Sequence, residues 1–184
     1  MTKSYLSLAK NIFSYNEAIF SPIRFSDRYK IMDWRNSQIF HLRQAALLTY
    51  DEQDQYFTNI VKPLLSSKKP KQYLFSYDYS GKFTGYGGLV HIDYELKAAE
   101  LSFLVNPALG EDFEQLSWDI YLQFAQELAF KQVGLSSISG YCYDTRSWLY
   151  PIYEKYNFQR KFEGSKFHKS DKAEVVIYEK ENIL

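Results

Sequence analysis

The stretch GYGGLVHIDYELKAAELSFLVNPALGEDFEQLSWDIYLQFAQELAF, Gly85 to Phe130, decides the fold. It reads as a strand, a polar turn from Asp93 to Leu96, a second strand AAELSFLV, a proline-marked loop and a long helix. Along that helix Phe113, Leu116, Ile120, Phe124 and Leu128 recur at three- and four-residue spacing, the period of an amphipathic α-helix. Gly134 follows as a helix-ending glycine would. In the second strand Glu100 sits among apolar residues, sharing one face with Ser102 and Leu104. A strand that feeds a helix N-terminus through a short loop offers backbone N–H groups to an anion.

Upstream, AIFSPIRF from Ala18 to Phe25 reads as a first strand, with Pro22 marking an edge or a bulge. Ser26 and Asp27 can cap a helix carrying Tyr29, Ile31, Met32 and Trp34. Thr49 and Glu52 make a capping-box pattern before a helix whose apolar stripe is Tyr56, Phe57, Ile60, Val61 and Leu64. QYLFSYDY and KFTGYGGLVHI are strands joined at Ser80-Gly81. Downstream, SSISGYCY is a strand and DTRSWLYPIYEKYNF a short helix, capped by Asp144 or Ser147 and closed by Asn157. FQRKFEGSKFHK and AEVVIYEKE form a last hairpin. The order β-α-α-β-β-β-α-β-α-β-β predicts one α/β or α+β domain over residues 1–184, built on a mixed central sheet.

Lys plus Arg and Asp plus Glu both number 22 in 184 residues, and the zero net charge argues against a nucleic-acid partner. Aromatic residues make up 18% of the chain, which serves either core packing or a cleft walled by rings. A single cysteine, Cys142, excludes an internal disulfide and a cysteine metal cluster. His41, His91 and His168 lack metal-ligand spacing, so no metal is expected. The N-terminus has no signal-like apolar run, and no stretch approaches the roughly 18 apolar residues of a membrane span. These features suit a cytoplasmic protein without a membrane partner.

With AELSFLVNP ahead of the long helix and LYPIYEKYNF after the next strand, the element order resembles the GNAT superfamily of N-acetyltransferases over nearly the whole chain. AELSFLVNP is similar to the superfamily's fourth strand. YEKYNF is similar to its LYEKxGF corner, with Asn157 in place of glycine. WRN, from Trp34 to Asn36, is similar to sugar-nucleotide and related small-molecule acetyltransferases. The resemblance implies a mostly antiparallel sheet of six to seven strands flanked by about four helices. It implies acetyl-coenzyme A as co-substrate, bound where the fourth and fifth strands splay apart. Backbone groups of Leu104 and Val105 would pair with the pantetheine arm. The pyrophosphate would sit at the start of the Asp112–Phe130 helix, on Gly110, Glu111, Asp112 and Phe113. The superfamily's loop reads Gln/Arg-x-x-Gly-x-Gly/Ala, whereas PALGEDFEQ keeps only Gly110 as a small residue and carries Glu111, Asp112 and Glu114.

Acetyl transfer to an amine needs a base, polarisation of the thioester and an acid for the departing thiolate. Glu100 is the candidate base, against a plain reading as a hydrogen-bonded strand carboxylate. His91 joins it if their strands pair with the two opposite, and a one-residue shift in register removes that arrangement. Tyr153, the tyrosine of the YEKYNF match, is the candidate acid, with Tyr150 its rival; as plain core tyrosines both would only pack. Trp34, Arg35, Asn36, His41 and Arg43 are candidates for the acceptor site, where an arginine could pair with a phosphate or carboxylate. The expected activity is acetylation of a primary amine on a small molecule, with an aminosugar, free or nucleotide-linked, as the first expectation. The alternatives are a protein or peptide amino terminus, or a GNAT-fold module that binds acyl-coenzyme A with little transfer. A monomer or homodimer is expected.

Overall fold

In the computed structural model residues 4–42, 44–143, 146–164 and 175–182 are described. Arg43, Asp144 and His168 lie outside them. In chain order the elements are β1 (Phe13–Tyr15), β2 (Ala18–Pro22), α1 (Arg28–Ser37), α2 (Tyr50–Tyr56), α3 (Lys62–Ser66), β3 (Tyr73–Tyr79), β4 (Lys82–Asp93) and β5 (Ala98–Val105). They continue with α4 (Glu111–Gln126), β6 (Ser137–Tyr143), α5 (Leu149–Lys155), β7 (Gln159–Gly164) and β8 (Val175–Glu181). One eight-stranded sheet runs β1-β2-β3-β4-β5-β6-β8-β7. Every pairing is antiparallel except β5 with β6. α2, a π-helical turn over Phe57–Val61 and α3 form one continuous rod.

The fold class agrees with the sequence reading, and the strand count exceeds the expected six to seven by β1. That strand has three residues, too short to show a period of two, and turns back through Asn16 at φ 52° to pair with β2. Thr49 and Glu52 do form the reciprocal capping box that starts α2. Gly134 adopts the left-handed conformation, at φ 75°, that closes the π-helical extension of α4. Three stripe positions, Tyr56, Ile60 and Leu116, are exposed instead of buried. Ile60 falls inside the π-helical turn, whose extra residue shifts the apolar face. Leu116 sits at the edge of the α4 face, which centres on Ser117, Trp118, Tyr121, Phe124 and Ala125.

Most of the aromatic surplus packs the layer between α4 and the sheet. Phe124 stacks on Phe20 at 4.0 Å between ring centroids, and Tyr121 stacks on Phe103 at 4.3 Å. Tyr121 also does something a phenylalanine could not. Its fully buried hydroxyl donates to the Gly88 carbonyl at 2.7 Å and accepts from the Ser102 N–H at 3.1 Å. A side chain from the helix is therefore threaded into the β4–β5 ladder beside Glu100. Gly88 itself sits at φ 150°, pressed against the Tyr73 carbonyl where no Cβ would fit.

The parallel β5–β6 pairing is short. It covers Ala98↔Ser137, Ala99↔Ile138 and Glu100↔Ser139 and then ends, although both strands continue. Beyond Glu100 the two strands diverge, and one edge of β5 is open. No helix among the described residues is long and apolar enough to cross a membrane.

Tyr121→Phe tests the threaded hydroxyl. It leaves a buried N–H and a buried carbonyl without partners, which costs about 1–3 kcal/mol. At about 2–4 °C per kcal/mol for a chain of this size, the thermal midpoint falls by roughly 2–12 °C. A midpoint within a degree of the parent would show that the bridge contributes nothing.

Candidate active site

A cleft of about 410 Å³ opens between the α1–α2 layer and the exposed faces of β4 and β5. Glu100 lines it at the last residue that pairs with β6. Directly across β4, Glu100 faces Val90 rather than His91. His91 belongs to a bulge between Val90 and Asp93 and has φ 52°, so the opposed His91–Glu100 pair does not form. The bulge still turns His91 to the rim of the same cleft, where it is exposed. No hydrogen bond joins the two side chains.

Tyr153 reaches the same junction from the other face. In parallel pairing Glu100 and its partner Ser139 project to one face, and Gly140, the next residue, projects to the opposite one. The Tyr153 hydroxyl lies against Gly140 where a Cβ would overlap it. The carboxylate and the phenol thus address the opening of the sheet from opposite sides. Burial pushes the Tyr153 phenol well above its ordinary value, with the neighbouring Cys142 and Tyr121 adding to it, so the phenol stays protonated. Tyr153 is stacked on Tyr178 at 5.0 Å and packs edge-on against Trp118 at 6.0 Å. Tyr150 does not line the cleft and rests beside Tyr178 and the Arg160 guanidinium.

The two backbone candidates on β5 divide. Asn106 N–H donates to Thr84 and the Leu104 carbonyl lies close to Gly85, so Leu104 turns its backbone towards β4. Val105 turns the other way, and its carbonyl accepts the buried Gln38 Nε2 at 3.0 Å. At the start of α4, Gly110 is the N-cap at φ 83°. Glu111 and Asp112 are exposed, and Phe113 packs edge-on against Tyr79 at 5.2 Å. Glu114 pairs with Arg146 at 3.0 Å, so one of the three carboxylates at this helix start is neutralised.

Of the expected acceptor-site residues, Arg35 and His41 line the cleft. Arg35 donates from Nε to Gln44 at 3.0 Å and from Nη1 to the Tyr86 hydroxyl at 2.9 Å. Burial and the adjacent Arg146 lower the His41 imidazole to about 3, so it is neutral. Asn36 instead pins the following loop, with its amide bonded to Leu48 and Gln44. Trp34 packs on Phe83 at 4.9 Å and is not part of the wall. Sequence reasoning did not single out Tyr86, Trp118 or Arg146, which also line the cleft. Tyr86 had a signal, since glycines at 85, 87 and 88 leave its side chain alone on an otherwise bare stretch of strand. Arg146 had none beyond following a strand end.

The chain matches the family model described as an acetyltransferase (GNAT) domain over residues 21–140. No curated protein matches it in sequence. Among solved structures, spermidine N-acetyltransferase from Vibrio cholerae, in complex with CoA and spermine, superposes with a TM-score of 0.76 at 14% identity, covering 91% of this chain and 96% of that one. RimL, a ribosomal L7/L12 α-N-protein acetyltransferase in complex with CoA, gives 0.73 at 9% identity, with 93% and 98% covered. An N-acetyltransferase from Staphylococcus aureus Mu50 gives 0.69 at 15% identity, with 89% and 98% covered. At these identities the likeness is one of fold, while the family model spans most of the chain. The chain belongs to the GNAT family, the acetyl-coenzyme A-dependent N-acetyltransferases.

Proposed function

We propose that the protein moves an acetyl group from acetyl-coenzyme A to a primary amine of a small molecule. The observation that carries this reading is the junction where β5 leaves β6. Glu100 stands at one face of the opening and the buried, protonated Tyr153 at the other. An amine arriving through the cleft would meet Glu100, which takes up its proton directly or through a water as nitrogen attacks. Tyr153, on the far side, would give a proton to the departing thiolate. Direct transfer of this kind needs no covalent intermediate on the protein.

The edge of β5 beyond Glu100 pairs with no strand among the described residues, which suits a pantetheine arm, and a ligand there would share or replace the Gln38 hydrogen bond to the Val105 carbonyl. The first turn of α4 supplies N–H groups with no intrahelical partner. The acids there are compatible with an anion: Glu111 and Asp112 are solvent-exposed and Glu114 is paired. The volume of the cleft, about 410 Å³, favours a small acceptor over a folded protein surface. Of the WRN segment that suggested an aminosugar, only Arg35 lines the wall, so we rest the acceptor's nature on the cleft and not on that segment.

Three measurements test the reading. Acetyl-coenzyme A at 100 times its dissociation constant stabilises the folded chain by about 2.7 kcal/mol. No shift of the thermal midpoint at millimolar ligand would exclude the enzyme. Tyr153→Phe retains that ligand-induced shift while kcat falls by about 10²–10⁴, the usual worth of a positioned acid. Equal loss of both would mean that Tyr153 only supports the fold. Glu100→Gln flattens the rise of kcat/KM with pH, and an unchanged profile removes Glu100 as the base.

A further inference from the structure

Arg35 differs from Arg24, Arg28 and Arg146. Arg24 pairs with Asp27 and Asp78, Arg28 with Asp54, and Arg146 with Glu114. Arg35 has no carboxylate within 4.0 Å among the described residues; its partners are the neutral Gln44 amide and Tyr86 hydroxyl. It is half-buried in the cleft wall, where a guanidinium without a counter-charge is costly. A guanidinium carries five N–H donors, so two hydrogen bonds leave the greater part of its fork unused.

The rest of the cleft has the same bias. Among the described residues Trp118 Nε1 and Arg146 Nε are buried without a hydrogen-bond partner, as are both ring nitrogens of His41. Trp118 and His41 are each more than nine-tenths buried. Indole and guanidinium N–H groups can only donate, and a neutral imidazole brings one donor and one acceptor. Among the described residues two carboxylates line the cleft, Glu52 and Glu100, and neither is free: Glu52 caps α2 through Thr49 and Glu100 has a partner of its own. Buried donors without partners are rare in folded proteins and call for a ligand or water that satisfies them.

We propose that the acceptor is an amine that also carries an anionic oxygen group, carboxylate or phosphate, which binds at Arg35 and Tyr86 while its amino group lies towards Glu100. This rests on the acyl-transfer reading above and narrows its substrate class. Tyr86 and Val90, the residue opposite Glu100, are four positions apart on β4, or roughly 13 Å of strand. Two long side chains reaching inward shorten that span to the scale of a dipeptide or a sugar phosphate. A polyamine has the opposite requirement. It needs several acceptor groups along its length, and this wall sets two guanidinium groups, Arg35 and Arg146, and the Trp118 indole N–H among its acceptors.

The test uses matched ligands and the intact chain. Binding is measured by calorimetry for glycylglycine against its C-terminal amide, and for glucosamine 6-phosphate against glucosamine, with spermidine as the cationic comparison. The expected result is at least a tenfold preference for the anionic member of one pair, and which pair responds distinguishes carboxylate from phosphate. Arg35→Gln brings that ratio close to one, and Arg35→Lys restores part of it. The affinity for the member without the anionic group, read in the same variants, reports whether the cleft is still formed. Equal affinity within both pairs, preference for spermidine, a ratio untouched by Arg35→Gln, or no binding by any anionic member overturns the proposal. Because binding is read without acetyl-coenzyme A, failure of acetyl transfer is seen separately, as absence of thiol release with a ligand that binds.

Discussion

Everything at this site follows from a parallel ladder that stops after three residue pairs. Parallel strands normally stay paired because an unpaired backbone group away from water is costly. Here β5 and β6 part after Glu100 and Ser139, and bulky rings occupy the region where they part. Trp118 packs edge-on against Phe103 of β5 at 5.4 Å and against Tyr153, which lies over Gly140 of β6, at 6.0 Å. The rings and the missing Cβ of Gly140 make the separation a packed state and not a loss of order.

Buried phenols recur around this opening in different roles. Tyr121 and Tyr153 are both held well above the ordinary phenol value, first by burial, so each remains a neutral hydroxyl. Tyr121 uses its hydroxyl in both directions, as donor to Gly88 and acceptor from Ser102, and so completes the β4–β5 ladder. Tyr153 points its hydroxyl at the place where the β5–β6 ladder is absent. The same chemical group therefore closes one strand interface and, in the function proposed above, would serve as the proton donor at the other.

The parts of this arrangement carried by local pattern were legible in the sequence. The long helix, the capping box at Thr49, the closing Gly134 and the order of elements all depend on residues within a few positions of one another. β1 was missed because three residues show no alternation, and Ile60 was misassigned because a π-helical turn leaves no mark on a period of 3.6. The site was legible only in part. Glu100 and Tyr153 stood out by strand context and by the YEKYNF resemblance. The His91 bulge depends on register, which no single strand reveals. The donor cluster joins His41, Trp118 and Arg146, residues on separate elements whose meeting is set by tertiary packing alone.

Gln38 gives this opening a further property. Its amide already occupies the Val105 carbonyl on the open edge of β5, and the same nitrogen also reaches the Trp34 carbonyl. A ligand that pairs with Val105 therefore exchanges one hydrogen bond for another, and its gain there is a difference between two similar energies. Gln38 sits at the end of α1, the helix that carries Arg35 into the cleft wall. If a ligand displaced that amide it would act on the helix that carries Arg35, and ligands at Val105 and at Arg35 would then be linked with equal strength in both directions.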